Sequence, residues 1–136
     1  MSINVIQDQI VEEFSSFDDW LDKYEYLLTL GKKLEPLEDM FKTEEFMIKG
    51  CQSRVWIVTN IIDSKISIKG DSDGLIPKGI LALIIRVFNN QSLSDINDAE
   101  IFFPEKTGLS KNLSPSRANG MISMIKQIKY NAKKLT

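Results

Sequence analysis

The sequence predicts an α/β protein of the α+β type: a small antiparallel sheet packed against several helices, with a long helix at its C-terminal end. Three patterns lead there. Apolar residues recur at three- and four-residue spacing near both ends of the chain, as amphipathic helices require. Between them, Val55 to Ile62 is rich in β-branched and aromatic residues, and Ile66 and Ile68 then alternate with Lys65, Ser67 and Lys69. That is the pattern of a hairpin with an inner strand and a strand wet on one face. Finally, the stretch from Gly74 or Pro77 to Phe88 is apolar almost all round, as a helix buried against such a sheet must be.

Element by element, Ile3, Ile6, Ile10, Val11 and Phe14 predict a first helix over Ile3 to Phe14. Asp18 is the expected N-cap of a second, with Trp20, Leu21, Tyr24, Leu27 and Leu28 on one side and Gly31 as its stop. Lys32 to Lys49, with Pro36 and scattered charge, reads as a loop holding a short strand at Phe46 to Ile48. The hairpin turns near Asp63-Ser64, and Asn89-Asn90 ends the buried helix. Ser92 caps a short turn through Ile96, and Ile101 to Gly108 is a second short stretch interrupted by Pro104. Ser114-Pro115 then supplies an N-cap followed by proline at the first helical position. Ala118, Met121, Ile122, Ile125, Ile128 and Ala132 continue that helix, and Lys126, Lys129, Lys133 and Lys134 suit the negative end of its dipole.

The chain has 136 residues, 43% hydrophobic and 26% charged, the size and composition of one compact domain spanning residues 1–136. Its longest uninterrupted apolar run, Ile80 to Ile85, is far shorter than the roughly 18 residues of a spanning helix, so no membrane is expected. Met1-Ser2-Ile3-Asn4 lacks the basic and apolar regions of a signal peptide, which predicts a cytoplasmic protein. With 17 basic against 19 acidic residues and no block of like charge, no nucleic-acid partner is expected. Lys78-Gly79 is too little for a phosphate loop, and no Gly-rich nucleotide fingerprint exists. Trp20, Tyr24 and Trp56 read as core rather than as a base-stacking platform.

Two counts restrict the chemistry: there is no histidine, and there is one cysteine. Without imidazole there is no Ser-His-Asp triad, no Cys-His dyad and no histidine-held metal. One cysteine forms no internal disulfide and cannot supply a thiolate cluster. Any sulfur chemistry must run between this chain and another molecule.

That cysteine, Cys51, lies in Lys49-Gly50-Cys51-Gln52-Ser53-Arg54-Val55-Trp56, at a loop tip ahead of the inner strand. Gly50 permits a positive φ or a close approach, and Gln52 and Ser53 are poor neighbours for a merely packed thiol. A free cysteine is more often a buried small hydrophobe than a nucleophile. Lys49 and Arg54 weigh the other way, because nearby cations stabilise thiolate. Local context leaves both readings open.

Gly50-Cys51-Gln52-Ser53-Arg54-Val55-Trp56 closely resembles the cysteine motif of the SufE family of sulfur-acceptor proteins. Further segments follow in that family's order and approximate spacing: Trp20, Lys23-Tyr24 and Leu30-Gly31; Gly70-Asp71-Ser72-Asp73 with Lys78-Gly79; and Leu113-Ser114-Pro115-Ser116-Arg117 with Asn119-Gly120. The resemblance covers nearly the whole chain. It implies a fold related to the scaffold protein IscU, with the cysteine on a loop.

It also implies a partner, a pyridoxal-phosphate cysteine desulfurase whose persulfide sulfur passes to Cys51 by transpersulfidation and on to an iron–sulfur assembly scaffold. The chain itself needs no cofactor and no metal; the pyridoxal phosphate belongs to the desulfurase. Such a protein activates its partner and carries sulfur, so whether it counts as an enzyme is left open, as is a homodimer. A second cysteine would resolve the persulfide into a disulfide, which fits the presence of only one. Because a persulfide needs shelter but transfer needs access, the loop from Lys49 to Ser53 is expected to have two positions.

Three further residues are candidates around Cys51. With Ser114 as N-cap, Arg117 is the third helical residue, where a capping box places Glu or Gln and the dipole favours an anion. Its expected partner is an anion: the Cys51 thiolate or persulfide, or the carboxylate of Asp71 or Asp73. The bland alternative is a solvated arginine. Asp71 and Asp73 precede the buried helix and are expected to cap it, while also shaping the cysteine loop. With Gly50, Gln52 and Ser53 they complete the supporting set. A thiol redox sensor, with Cys51 oxidising to sulfenic acid, and a non-catalytic adaptor are the alternatives of other classes.

Overall fold

The computed structural model describes every residue from Met1 to Thr136. Helix α1 (Ile3–Ser15) starts where Ser2 Oγ accepts the Val5 N–H at 3.2 Å, and it buries Ile3, Ile6, Ile10 and Phe14. Helix α2 (Trp20–Lys32) is capped by Asp19 rather than the expected Asp18, its carboxylate accepting the Asp22 N–H at 2.9 Å. Gly31 does not stop α2. It is buried inside it, and a Cβ there would lie 2.9 Å from the backbone nitrogen of Gly79. The missing side chain is spent on close helix packing, not on a left-handed C-terminus. Trp20 and Tyr24 pack partly buried against the core, whereas Leu21 is exposed.

Strands β1 (Val55–Ile62) and β2 (Lys65–Ser72) form the antiparallel hairpin, with Val55 opposite Ser72 and Trp56 opposite Asp71. Asp63 and Ser64 both take positive φ, 53° and 66°, the mirror-image turn whose twist matches that of paired strands. Both long edges of the hairpin are partly covered. On one side Ile48 N–H donates to Val55 O and Ile57 N–H to Phe46 O, so the expected Phe46–Ile48 segment is present as a brief pairing. On the other, Ile66 exchanges bonds with Asn90 and Gln91.

The apolar residues of both parities in β1 serve two cores. Val55 and Ile57 face the main one with Ile66 and Ile68, and Trp56 and Val58 join Leu37, Phe41, Phe46 and Met47 on the other face. The wet face expected of β2 holds only over its first half. Gly70, Asp71 and Ser72 are buried, because the segment after α2 folds over that end of the strand.

Helix α3 (Leu75–Phe88) runs behind the hairpin and is almost wholly buried. Neither Asp71 nor Asp73 caps it; Gly74 holds the cap position without a side-chain bond. Arg86 reaches from α3 to Glu13 of α1 with two bonds, 2.9 and 2.5 Å, and Tyr26 of α2 donates to the same carboxylate at 2.5 Å. Asn89 ends the helix.

Three short helices follow: α4 (Leu93–Asp98), capped by Ser92, α5 (Phe103–Lys106), and α6 (Leu109–Asn112), which the sequence pattern does not announce. Buried Gln7 secures this stretch, its carbonyl accepting the N–H groups of Phe102 and Phe103 at 2.8 and 3.1 Å. Helix α7 (Pro115–Leu135) opens on the expected Ser114 cap and packs against α3, α4 and β1. Its buried side includes Met124 but not Ile122, which is exposed. No helix is long and apolar enough to cross a membrane.

Candidate functional site

The segment that carries Cys51 is a loop hung between two fixed points. Its base closes where Ile48 N–H donates to Val55 O at 2.8 Å. Its far end is clamped at Arg54: the Asp73 carboxylate accepts the Arg54 N–H at 2.9 Å, and the Ser72 hydroxyl donates to the Arg54 carbonyl at 2.7 Å. Asp73 N–H also donates to that carbonyl, at 3.2 Å. Asp73 therefore shapes the cysteine loop through its backbone.

Gly50 has φ of 89°, the left-handed region that glycine alone enters freely. A Cβ there would also meet Ser123 Oγ of α7 at 2.6 Å, a contact that rotation of the serine can relieve, so it is the turn that demands glycine. The turn aims Cys51 inward. It is half-buried against the main core, and its thiol donates to the Gly120 carbonyl of α7 at 3.6 Å.

Burial pushes the Cys51 thiol above its ordinary value, since a thiolate would lose more water than a thiol. Lys49 and Arg54 do not offset this. Both are exposed, neither forms an ion pair, and the cations expected to favour thiolate serve the solvent instead.

Beside the sulfur is a cavity of about 50 Å³ lined by Cys51, Gln52, Ser53, Pro77, Ile80, Ser116, Arg117, Gly120 and Met124. Ligand pockets for drug-sized molecules run from about 300 Å³. This one is far smaller, with room for a small group beside the thiol. Its walls combine the apolar Pro77 and Ile80 of α3 and Met124 of α7 with the polar Gln52, Ser53, Ser116 and Arg117.

The structure thus brings Cys51, Gln52, Ser53 and Arg117 to one cavity. Arg117 has no carboxylate partner: its guanidinium donates to the Tyr24 hydroxyl of α2 at 3.1 Å and otherwise faces solvent. The expected pairing with Asp71 or Asp73 is absent because both are engaged elsewhere. Asp71 is buried, accepts the N–H groups of Ser72 and Leu37, and pairs with Lys78 at 3.3 Å and Lys42 at 3.6 Å. Burial pushes its carboxyl up, but the bonds to Ser72, Leu37 and Lys78 outweigh that and hold it below the ordinary value. Asp71 anchors the segment after α2 rather than the cysteine loop.

Sequence reasoning missed Pro77, Ile80 and Met124 as cavity walls, since apolar residues at helical spacing carry no mark of what they line. It also missed Gly120 as a site residue, although a glycine inside a helical pattern is a signal of close approach. No group of three or more Cys, Asp or Glu side chains is gathered where a metal ion would be held.

Comparison with known proteins extends this picture. The family model described as SufE, Fe-S metabolism associated domain, matches residues 8–132. An uncharacterised SufE-like protein of Rhizobium meliloti is 38% identical over 131 residues, covering 92% of this chain and 93% of that one. One from Synechocystis is 39% identical over 124 residues, covering 91% of this chain and 78% of that protein. The solution structure of a hypothetical protein from Thermus thermophilus superposes with a TM-score of 0.77, covering 95% of this chain and 94% of the other. At 18% identity that likeness speaks for the α+β fold alone. The family model and the identity to these relatives, each over most of the chain, place this protein in the SufE family, whose domain is associated with Fe–S metabolism.

Proposed function

We propose that this protein is a cytoplasmic sulfur acceptor and activator of a cysteine desulfurase. It takes persulfide sulfur onto Cys51 and delivers it to an iron–sulfur assembly scaffold. The observation that carries this reading is the lone thiol on a loop without regular structure, resting beside a small cavity with room for an added sulfur. Family membership supplies the Fe–S context.

The chemistry needs no catalytic base in this chain. The Cys51 thiolate attacks the terminal sulfur of the donor persulfide, a new S–S bond forms at Cys51, and the donor S–S bond breaks. Its electron pair leaves with the donor thiolate. The proton lost by Cys51 is returned, in net terms, to the donor sulfur, so the exchange needs no external oxidant or reductant. Delivery repeats the step with an acceptor cysteine of the scaffold. Pyridoxal phosphate acts only in the desulfurase.

Burial sets the order of events. A thiol held neutral against the core attacks slowly, so docking must bring the loop outward and expose Cys51 to water or to the partner's own charges. The same burial argues against a redox sensor, whose cysteine needs thiolate character and access.

The test is desulfurase turnover in the presence of a reductant, with and without this protein. Wild type should raise the rate. Cys51→Ser should not raise it but should compete with wild type for the enzyme, because one sulfur is a small part of a protein interface. Equal stimulation by Cys51→Ser would leave an adaptor as the function.

A further inference from the structure

Gly120 lies in the second turn of the 21-residue helix α7. Glycine is the poorest helix former after proline, and this one has none of the positive φ that excuses Gly50 and Gly108. An alanine would suit the helix better on propensity alone. The reason for glycine must come from outside the helix.

A Cβ built on Gly120 would meet Cys51 Sγ at 3.4 Å, Cys51 Cβ at 3.9 Å and Cys51 Cα at 4.0 Å. These are its three nearest neighbours, and all belong to one residue. The carbonyl of the same Gly120 accepts the thiol at 3.6 Å. One turn further along α7, Ser123 faces Gly50 across the space that a Cβ on Gly50 would fill. Two steps on one helix therefore seat two adjacent loop residues.

We infer that Gly120 is a positioning residue, whose absent side chain and backbone carbonyl together set the depth at which the Cys51 sulfur rests. The contact is at the tight end of ordinary packing, so a methyl group at 120 fills the space under the sulfur without breaking α7. The loop has only weak ties of its own and yields first. The sulfur gives by a few tenths of an ångström, its bond to the Gly120 carbonyl lengthens, and the thiol gains water. The consequence for transfer rests on the sulfur-acceptor reading: a persulfide held less deeply is lost sooner to reductants.

The test uses Gly120→Ala in the full chain without any desulfurase. Iodoacetamide should alkylate Cys51 several-fold faster in the variant than in wild type at the same pH. The thermal midpoint of the variant should stay level or rise. A double-mutant cycle with Cys51→Ala measures the contact directly. Gly120→Ala should raise the midpoint more in the Cys51→Ala background, where the sulfur is gone.

Equal alkylation rates in folded wild type and Gly120→Ala, or equal midpoint shifts in the two backgrounds, would overturn the inference. Should Gly120→Ala fail to fold, recovery of folding in the Cys51→Ala background supports it, and failure in both backgrounds overturns it. None of these readouts involves sulfur transfer. A wild-type protein that accepts no sulfur would remove the functional reading and leave the positioning role standing.

Discussion

Ile48 and Val55 are joined by a backbone hydrogen bond of 2.8 Å that closes the base of the Cys51 loop. Between them, no N–H of residues 49–53 donates to another backbone group, while Arg54 is held by Asp73 and Ser72. A run without backbone bonds between fixed ends opens without unfolding its neighbours. Amide hydrogen exchange should therefore be fast over residues 50–53 and slow at Ile48 and Ile57, with the loop changing when a desulfurase binds. A loop as protected as β1, in both states and beside full transfer activity, would contradict the two-position account.

Arg117 lines the Cys51 cavity, yet the only bond its guanidinium makes within the protein is to the Tyr24 hydroxyl. Removing an exposed arginine without an ion pair should change stability by no more than about 0.5 kcal/mol. Sulfur transfer from a desulfurase should nonetheless fall in Arg117→Ala, because a cation at the cavity wall suits a persulfide anion. Urea unfolding and transfer rate, measured on the same preparation, separate the two. A variant that unfolds easily and transfers in proportion to its folded fraction would make Arg117 structural.

The Glu13 carboxylate, bound by Arg86 and Tyr26, is held below its ordinary value of 4.5, chiefly by its hydrogen bond to Arg86. A group whose pKa falls on folding adds stability that is fully present above its unfolded value and is lost as pH falls through the folded one. Asp71 acts in the same sense. Stability should thus decline as the pH drops below about 4.5, and Glu13→Gln should flatten part of that decline. Its side chain and that of Arg86 keep 32% and 35% exposure, so at neutral pH the cost should be only about 1 kcal/mol. Tyr26 is pushed up to about 12 by burial and by Glu13, which predicts a separate loss of stability between pH 10.0 and about 12. Unfolding curves across both limbs check each sign.

Alkylation of Cys51 in the free protein should lag behind that of the unfolded chain at neutral and mildly alkaline pH, and catch up only as the pH passes the raised thiol value. Adding a desulfurase that lacks its own nucleophilic cysteine should accelerate it if docking draws the loop outward. A rate already equal to that of the unfolded chain would mean that the cysteine is freely exposed at rest.

What the sequence made legible was local chemistry. Ser114-Pro115 marks a helix start because cap and proline act within one turn, and Asp63-Ser64 marks the hairpin because a two-residue turn needs residues that tolerate positive φ. Two adjacent aspartates defeated the choice of cap at α2, where Asp19 rather than Asp18 holds the position. Gly31 was ambiguous for a physical reason: a stop and a close helix crossing both call for glycine, and only the partner Gly79, far along the chain, decides. The candidate site shows the same division. Cys51, Gly50 and their neighbours stand out because they are contiguous. The Tyr24 partner of Arg117 lies 93 residues away, and the ties of Asp71 to Leu37 and Lys42 depend on a loop whose path no local pattern encodes.

The central claim is that Cys51 becomes a persulfide, and intact-protein mass spectrometry reads it directly. Wild type mixed with a cysteine desulfurase and cysteine should gain the mass of one sulfur atom, removable by a reductant and mapped to the peptide containing Cys51. Cys51→Ser should gain none. A wild-type mass that stays unchanged while the desulfurase itself turns over, or the same gain on Cys51→Ser, would contradict the account.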